Sequence, residues 1–301
     1  MTYKTNENVM ITHRQALALT GGTLVASSMA SLGMSTRPSH AAGQRATLTQ
    51  VRNATLRIDY GGVRFLVDPM LADKGAYPGF EGTANSELRN PLVPLPMPVG
   101  DIIDVDAVIV THLHPDHWDD AAKAKLKKSL PIFSQNEEDA AQIRGAGFTD
   151  VRVLMETSEF NGVRLSKTGG QHGTDAALKA AGEVLGKVCG VAFSHAAHKT
   201  LYVAGDTIWN RHVEEAIAKH RPEVIVLNAG KAVVIGLDPI IMGEEDLLAV
   251  HRAAPEAVLI ASHMEAVNHC ILGRAELRAF SEKEGFSSSL LIPADRETVT
   301  I

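Results

Sequence analysis

The chemistry of this 301-residue chain is concentrated in nine consecutive residues, Thr111-His112-Leu113-His114-Pro115-Asp116-His117-Trp118-Asp119. In an extended segment, side chains at i, i+2 and i+4 share one side, so His112, His114 and Asp116 can converge, and Pro115 keeps the segment from turning helical. His117 then stands at the bend. Neutral imidazoles with a carboxylate are a ligand set that suits zinc and neighbouring divalent metals. With thirteen histidines in the chain, H-x-H-x-D-H arises by chance in roughly one in a thousand chains of this length, if positions are independent. Four titratable side chains within six residues are also costly to bury without partners. A metal site, rather than a packed core segment, is the expectation.

The elements that must position this run follow from periodicity. Ala54, Leu56, Ile58 and Tyr60 alternate with Thr55, Arg57 and Asp59, Gly61-Gly62 supplies a two-residue turn, and Val63, Phe65 and Val67 resume the alternation. That pattern predicts a β-hairpin ending at Asp68-Pro69. Residues 71–100 are too rich in Gly and Pro for regular structure and predict a long surface loop, of a kind that is often functional. A buried strand at Ala107–Val110 places the histidine run at its end, ahead of a helix from Asp119 to Lys128. A strand at Ile132–Ser134 and a helix at Glu137–Ala146 follow. Asn161-Gly162 marks a second hairpin between Glu156–Phe160 and Val163–Lys167. Further strands read at Val188–Phe193, Thr200–Ala204, Val224–Leu227 and Val258–Ala261, with helices at Arg211–Lys219, Glu244–Ala253 and Arg274–Glu284. Hairpins then βα units, twice over, predict an α/β protein of two similar halves, two sheets between helix layers.

Composition excludes several classes. At 45% hydrophobic and 21% charged the chain can bury a core, and its 29 Lys+Arg against 35 Asp+Glu give a net charge of -6 with no basic run. A duplex nucleic-acid binder is therefore not expected. Two cysteines, Cys189 and Cys270, cannot build a disulfide scaffold. Residues 1–41 read as a cleavable signal peptide: Ala16 to Met34 carries no charge, and Ser39-His40-Ala41 offers small residues at the -3 and -1 positions of a cleavage site. Thr12-His13-Arg14-Gln15 resembles a twin-arginine signal, with His13 where the first arginine belongs. Gly21, Gly22, Ser27 and Ser28 make the stretch too weakly apolar for stable membrane insertion. The expected location is periplasmic or exported, otherwise cytoplasmic. The expected mature domain is 42–301, with a net charge of -8.

The motif resembles that of the metallo-β-lactamase superfamily, which carries H-x-H-x-D-H at the end of a core strand of a four-layer αββα sandwich. The resemblance runs from about Ala46 to the C-terminus. His172 in Gly169-Gly170-Gln171-His172-Gly173 matches the family's third histidine, Asp206 in Ala204-Gly205-Asp206-Thr207 its bridging aspartate, and His263 in Ala261-Ser262-His263 its last histidine. Each falls at a strand end or in the loop beyond it. The resemblance implies two divalent metal ions, zinc foremost with manganese or iron as options. One would take His112, His114 and His172, the other Asp116, His117 and His263, with Asp206 bridging. A hydroxide held between the metals would be the nucleophile, with Asp116 or Asp206 orienting it or accepting its proton. Asp68 matches a position that orients a ligand histidine through its second nitrogen. Trp118 and Trp209 could wall the pocket. His195, His198, His212, His251 and His269 read as ordinary histidines, and Cys270 as structural.

The resulting expectation is a metal-dependent hydrolase that cleaves a small ester, lactone or phosphoester, under the loop of residues 71–100. True zinc β-lactamases of this superfamily usually lack the bridging aspartate, so Asp206 argues against a β-lactam. Trp118-Asp119-Asp120 after the motif resembles the ascorbate-phosphate-lactonase-like branch. Three alternatives stay open: β-lactamase activity, a mononuclear iron oxygenase of the persulfide-dioxygenase type, and a non-catalytic metal-binding protein. The substrate is a small molecule, and an oligomer is open.

Overall fold

The structure, a computed structural model, describes residues 45–301; the leader read at 1–41 lies outside the described residues. The first half contains β1 (Thr47–Arg52), β2 (Thr55–Tyr60), β3 (Val63–Val67), α1 (Val99–Ile103), β4 (Ala107–Val110), α2 (Asp120–Lys125), β5 (Ile132–Ser134), α3 (Glu137–Gly145) and β6 (Val151–Val153). The second contains β7 (Ser158–Phe160), β8 (Val163–Gly169), α4 (Asp175–Leu185), β9 (Cys189–His195), β10 (His198–Val203), α5 (Arg211–His220) and β11 (Val224–Asn228). It continues with α6 (Glu244–Ala253), β12 (Val258–Ser262), α7 (Arg274–Lys283), β13 (Leu290–Leu291) and β14 (Thr298–Thr300), which returns to the first half.

The strands form two seven-stranded sheets, β14-β1-β2-β3-β4-β5-β6 and β13-β12-β11-β10-β9-β8-β7. In each, antiparallel hairpin strands give way to parallel βα strands, at β3 in the first and β10 in the second. The repeat of two similar halves is thus real at the level of topology. Gly61 and Gly62 have positive φ (61° and 79°), the conformation that a tight hairpin turn demands and that glycine adopts without steric cost.

Strands covered on both faces read as continuous apolar runs, and β4 shows why. Ala107 and Ile109 enter the core between the sheets, beside Phe65, Phe193 and Val203. Val108 and Val110 point the other way, against Ile102, Ala122 and Ile143 of α1 to α3. The second sheet packs its outer face, including Ile225 and Leu259, on Val213, Leu247 and Leu277 of α5, α6 and α7. This is the expected αββα sandwich. Helix α2 is shorter than periodicity predicts: Asp119 caps its start by accepting from the N–H of Ala122, and Leu126 is already extended. Among the described residues, no helix is long and apolar enough to cross a membrane.

Candidate metal centre

Sheet topology delivers the candidate residues to one edge. His112 follows β4, His172 follows β8, Asp206 follows β10 and His263 follows β12, all strand ends pointing the same way, where a rigid scaffold can hold side chains that loops alone could not. Gly205 makes the approach of Asp206 feasible: its φ is +71°, and a Cβ there would stand 2.4 Å from the carbonyl oxygen of Cys189. His263 itself has φ +58° and Asp68 has φ +46°. Such left-handed conformations cost non-glycine residues free energy and persist where surrounding contacts over-determine them.

All seven sequence-predicted residues come together. His112, His114 and His172 form one group whose donor atoms lie within 4.8 Å of one another, as do Asp116, His117 and His263, and as do His112, His117 and Asp206. Asp206 lies between the first two sets: its Oδ2 is 3.1 Å from His117 Nε2, 3.7 Å from His172 Nε2 and 3.8 Å from His112 Nε2, and its Oδ1 is 3.7 Å from His263 Nε2. Asp116 Oδ2 is 3.2 Å from His263 Nε2.

Hydrogen bonds to the outer ring nitrogens fix which nitrogen faces inward. His117 Nδ1 bonds the carboxylate of Asp68 at 2.9 Å, and Asp68 is held in turn by the N–H and hydroxyl of Thr111. His172 Nδ1 bonds the carbonyl of Ile240 at 2.8 Å, and His114 Nε2 bonds that of Val184 at 2.9 Å. Each tautomer is set by its partner. Cys270 is no member of the three groups; its Sγ stands 3.4 Å from His263 Nδ1.

The electrostatics favour a cation. Burial pushes His112 well below its ordinary range, reinforced by His117 and His114. Burial likewise lowers His172 to about 4. Burial also opposes charge on His117, but the carboxylates of Asp206, Asp116 and Asp68 override it and hold that ring at about 10. Asp116 and Asp206 are held well below the carboxylate range by His117 and His263, against the effect of burial. These buried carboxylates attract positive charge, as a proton or as a metal ion.

A metal ion fits the donors. His112 Nε2 is buried without any hydrogen-bond partner, and His117 Nε2 and His263 Nε2 are only 3.0 Å apart. With the oxygens of Asp206 and Asp116 beside them, those nitrogens share either a proton or a metal ion.

Three asparagines escaped the sequence reading. Asn228, at the end of β11, donates to Asp206 Oδ1 at 2.7 Å. Asn53 donates to the backbone carbonyl of Asp116 at 3.0 Å. Asn268 ties the 77–90 part of the long loop to the site: it accepts from Phe80 N–H and Asn90, and donates to Thr83 and Ala84. Only Asn228 left a sequence signal, a polar residue closing the buried run Val224–Leu227. The tryptophans do not wall the pocket. Trp118 is buried against Phe148 under the first sheet, and Trp209 packs on the outer core of the second. His195 and His198 pack on each other away from the site, and His251 stacks on Phe286.

A cavity of about 290 Å³ opens onto the cluster. Phe80, Thr83, Leu185, Val234 and Ile240 line it above His114, Asp116, His172 and Asp206, together with His269. The loop of residues 71–100 contributes Phe80, Glu81 and Thr83 to its wall.

Fold and site together define a metallo-β-lactamase-type protein, and the chain belongs to that superfamily: the family model described as "Beta-lactamase superfamily domain" matches residues 47–263. Within it the chain is a metal-dependent hydrolase of the UPF0173 kind. It is 49% identical over 254 residues to the UPF0173 protein YddR of Bacillus subtilis, across 84% of this chain and 99% of that one. It is also similar to the isothiocyanate hydrolase from Delia radicum gut bacteria, with 49% identity, a TM-score of 0.82 and coverage of 85% of this chain and 99% of that one. A protein of Veillonella parvula described as a possible metal-dependent hydrolase shares 43% identity and a TM-score of 0.84, over 86% and 100% of the two chains.

Proposed function

We propose that this protein hydrolyses a small, uncharged electrophile bearing an apolar substituent, an isothiocyanate in the first place and an ester or lactone in the second. The carrying observation is the cavity: apolar walls stand over the His/Asp cluster, no Lys or Arg lines it, and Glu81 faces it. The walls offer no Lys or Arg to grip a phosphate oxygen beyond what the metal ions themselves would supply, so an anionic phosphoester is the least favoured of the expected substrates. The 49% identity to an isothiocyanate hydrolase over nearly its whole length supports the first choice.

Two divalent ions, zinc foremost, would be held by His112, His114 and His172 on one side and by Asp116, His117 and His263 on the other, with Asp206 between. When bound, such ions lower the pKa of water from about 15.7 to about 7 and polarise the electrophile. The chain's own residues supply the rest. Asn228 fixes Asp206 Oδ1, which leaves Oδ2 to orient the attacking water and accept its proton. Asp116, fixed at its backbone by Asn53, is the second carboxylate for that role. Phe80, Leu185, Val234 and Ile240 exclude bulk water and seat the substituent.

The test is a panel on purified protein reconstituted with zinc or manganese: benzyl isothiocyanate, a γ-lactone, a chromogenic β-lactam and bis(p-nitrophenyl) phosphate. Turnover of the isothiocyanate without oxygen consumption is expected, with kcat lowered about 10³-fold in Asp206→Asn. Phosphodiester cleavage alone, or unchanged turnover in that variant, would overturn the reading. Oxygen uptake with a single iron would point instead to the oxygenase, and a folded protein inert to every compound would point to a non-catalytic metal binder.

A further inference from the structure

His269 is the one histidine of the cavity wall that stands outside the metal-binding groups. It is 7% exposed, and its Nδ1 is buried without a partner. An edge-to-face contact with Phe80, 5.0 Å between centroids at 89°, holds the ring. Its backbone carbonyl accepts from Val233 N–H at 3.0 Å, and its neighbour Asn268 is locked to the loop. The position is therefore rigid. An unpartnered buried nitrogen is better left as an acceptor than as an N–H, which puts the proton of the neutral ring on Nε2.

We propose that the Nε2–H of His269 is the hydrogen-bond donor to the substrate nitrogen and stabilises the electron pair that gathers there as it departs, an inference that rests on the isothiocyanate reading for the identity of that nitrogen. In R–N=C=S, water oxygen bonds to the central carbon and one proton reaches nitrogen, giving R–NH–C(=S)–OH. The C–N bond then breaks with its electron pair going to nitrogen, which takes its second proton from the O–H of the same intermediate while the Nε2–H of His269 stays hydrogen-bonded to it, so the ring never loses its proton. One water is consumed, R–NH2 and O=C=S are released, and nothing is oxidised or reduced. Burial holds the ring at about 4, so at neutral pH it is uncharged and donates from a single tautomer.

The experiment compares wild type with His269→Phe and His269→Gln, the second retaining an N–H donor. Three readouts are taken: benzyl isothiocyanate turnover, calorimetric affinity for N-benzyl O-methyl thiocarbamate as a stable analogue of the hydrated carbon, and metal content. His269→Phe should lower kcat about 100-fold with KM little changed and weaken the analogue about tenfold, at unchanged metal content. His269→Gln should recover the analogue affinity. Wild-type kcat and affinity in His269→Phe, or losses that track lost metal, would overturn the role. If wild type binds the analogue but does not turn over isothiocyanate, and His269→Phe weakens that binding, the substrate reading fails while the donor role stands. A wild type that does neither overturns both.

Discussion

The carboxylate of Asp68 bonds Nδ1 of His117 at 2.9 Å and takes two further hydrogen bonds from Thr111. One buried side chain thus joins the end of β3 to the histidine run after β4 and sets the face that His117 offers to the site. Asp68→Ala should weaken metal affinity about 10–100-fold, the range for lost outer-shell partners. A chelator competition titration checks this, and unaltered affinity would show that His117 is oriented by packing alone.

Asn268 is to the loop what Asp68 is to the cluster. Its side chain carries hydrogen bonds to Phe80, Thr83, Ala84 and Asn90. Asn268→Ala leaves several of these groups without a partner in the interior and should destabilise the protein by about 3 kcal/mol. Substrate KM should rise as Phe80 loses its place, and limited proteolysis should cut within residues 77–90. Thermal melting, KM and the cleavage map together check it.

Arg52 is fully buried and donates to the carbonyls of Val93, Met70 and Ala72, pinning both ends of the same loop region. Burial lowers its pKa to about 10, with Asp119 pulling the other way. Arg52→Met fills much of the space and satisfies none of the three acceptors, so a loss of about 3 kcal/mol is expected in denaturant unfolding.

The hairpin β2–β3, strand β4 and the run His112 to His117 were legible because each has a period or a spacing, whereas His172, Asp206 and His263 were picked out only through the resemblance to the family motif. What was not legible has neither. Helix α4 is interrupted by non-helical backbone at Ala181, φ -138°, and Gly182 breaks its apolar stripe. Strand β1 buries Gln50 and Arg52 along with Leu48 and Val51, so polarity does not alternate with exposure along it. Asn53, Asn228 and Asn268 act through contacts between residues more than twenty positions apart, and an asparagine that will be buried looks in sequence like one that will not. His269 read as ordinary for the same reason: its meaning lies in the cavity, which only the folded loop creates.

Removal of metal should expose opposing pH dependences. His172 and His269 are held at about 4 by burial, below their unfolded value of about 6.5. The unfolded chain therefore binds more protons between those values, and the stability these rings contribute is full above pH 6.5 and lost as pH falls toward 4. His117, raised to about 10, works the other way: its contribution is full below 6.5 and lost as pH rises through 10. Melting of the chelator-treated protein should be highest near neutrality, and His269→Phe should flatten the acid limb. A melting temperature constant from pH 6.5 to 4.5 would contradict the burial of neutral rings.

The most direct measurement is the metal content of protein purified without chelators and titrated with zinc and manganese, by elemental analysis against amino-acid analysis. About two divalent ions per chain in wild type, and fewer in Asp206→Asn, are expected of a cluster in which one aspartate serves both ligand sets. A folded wild-type protein that takes up no divalent ion would contradict the metal centre, and with it the hydrolytic function built on these seven residues.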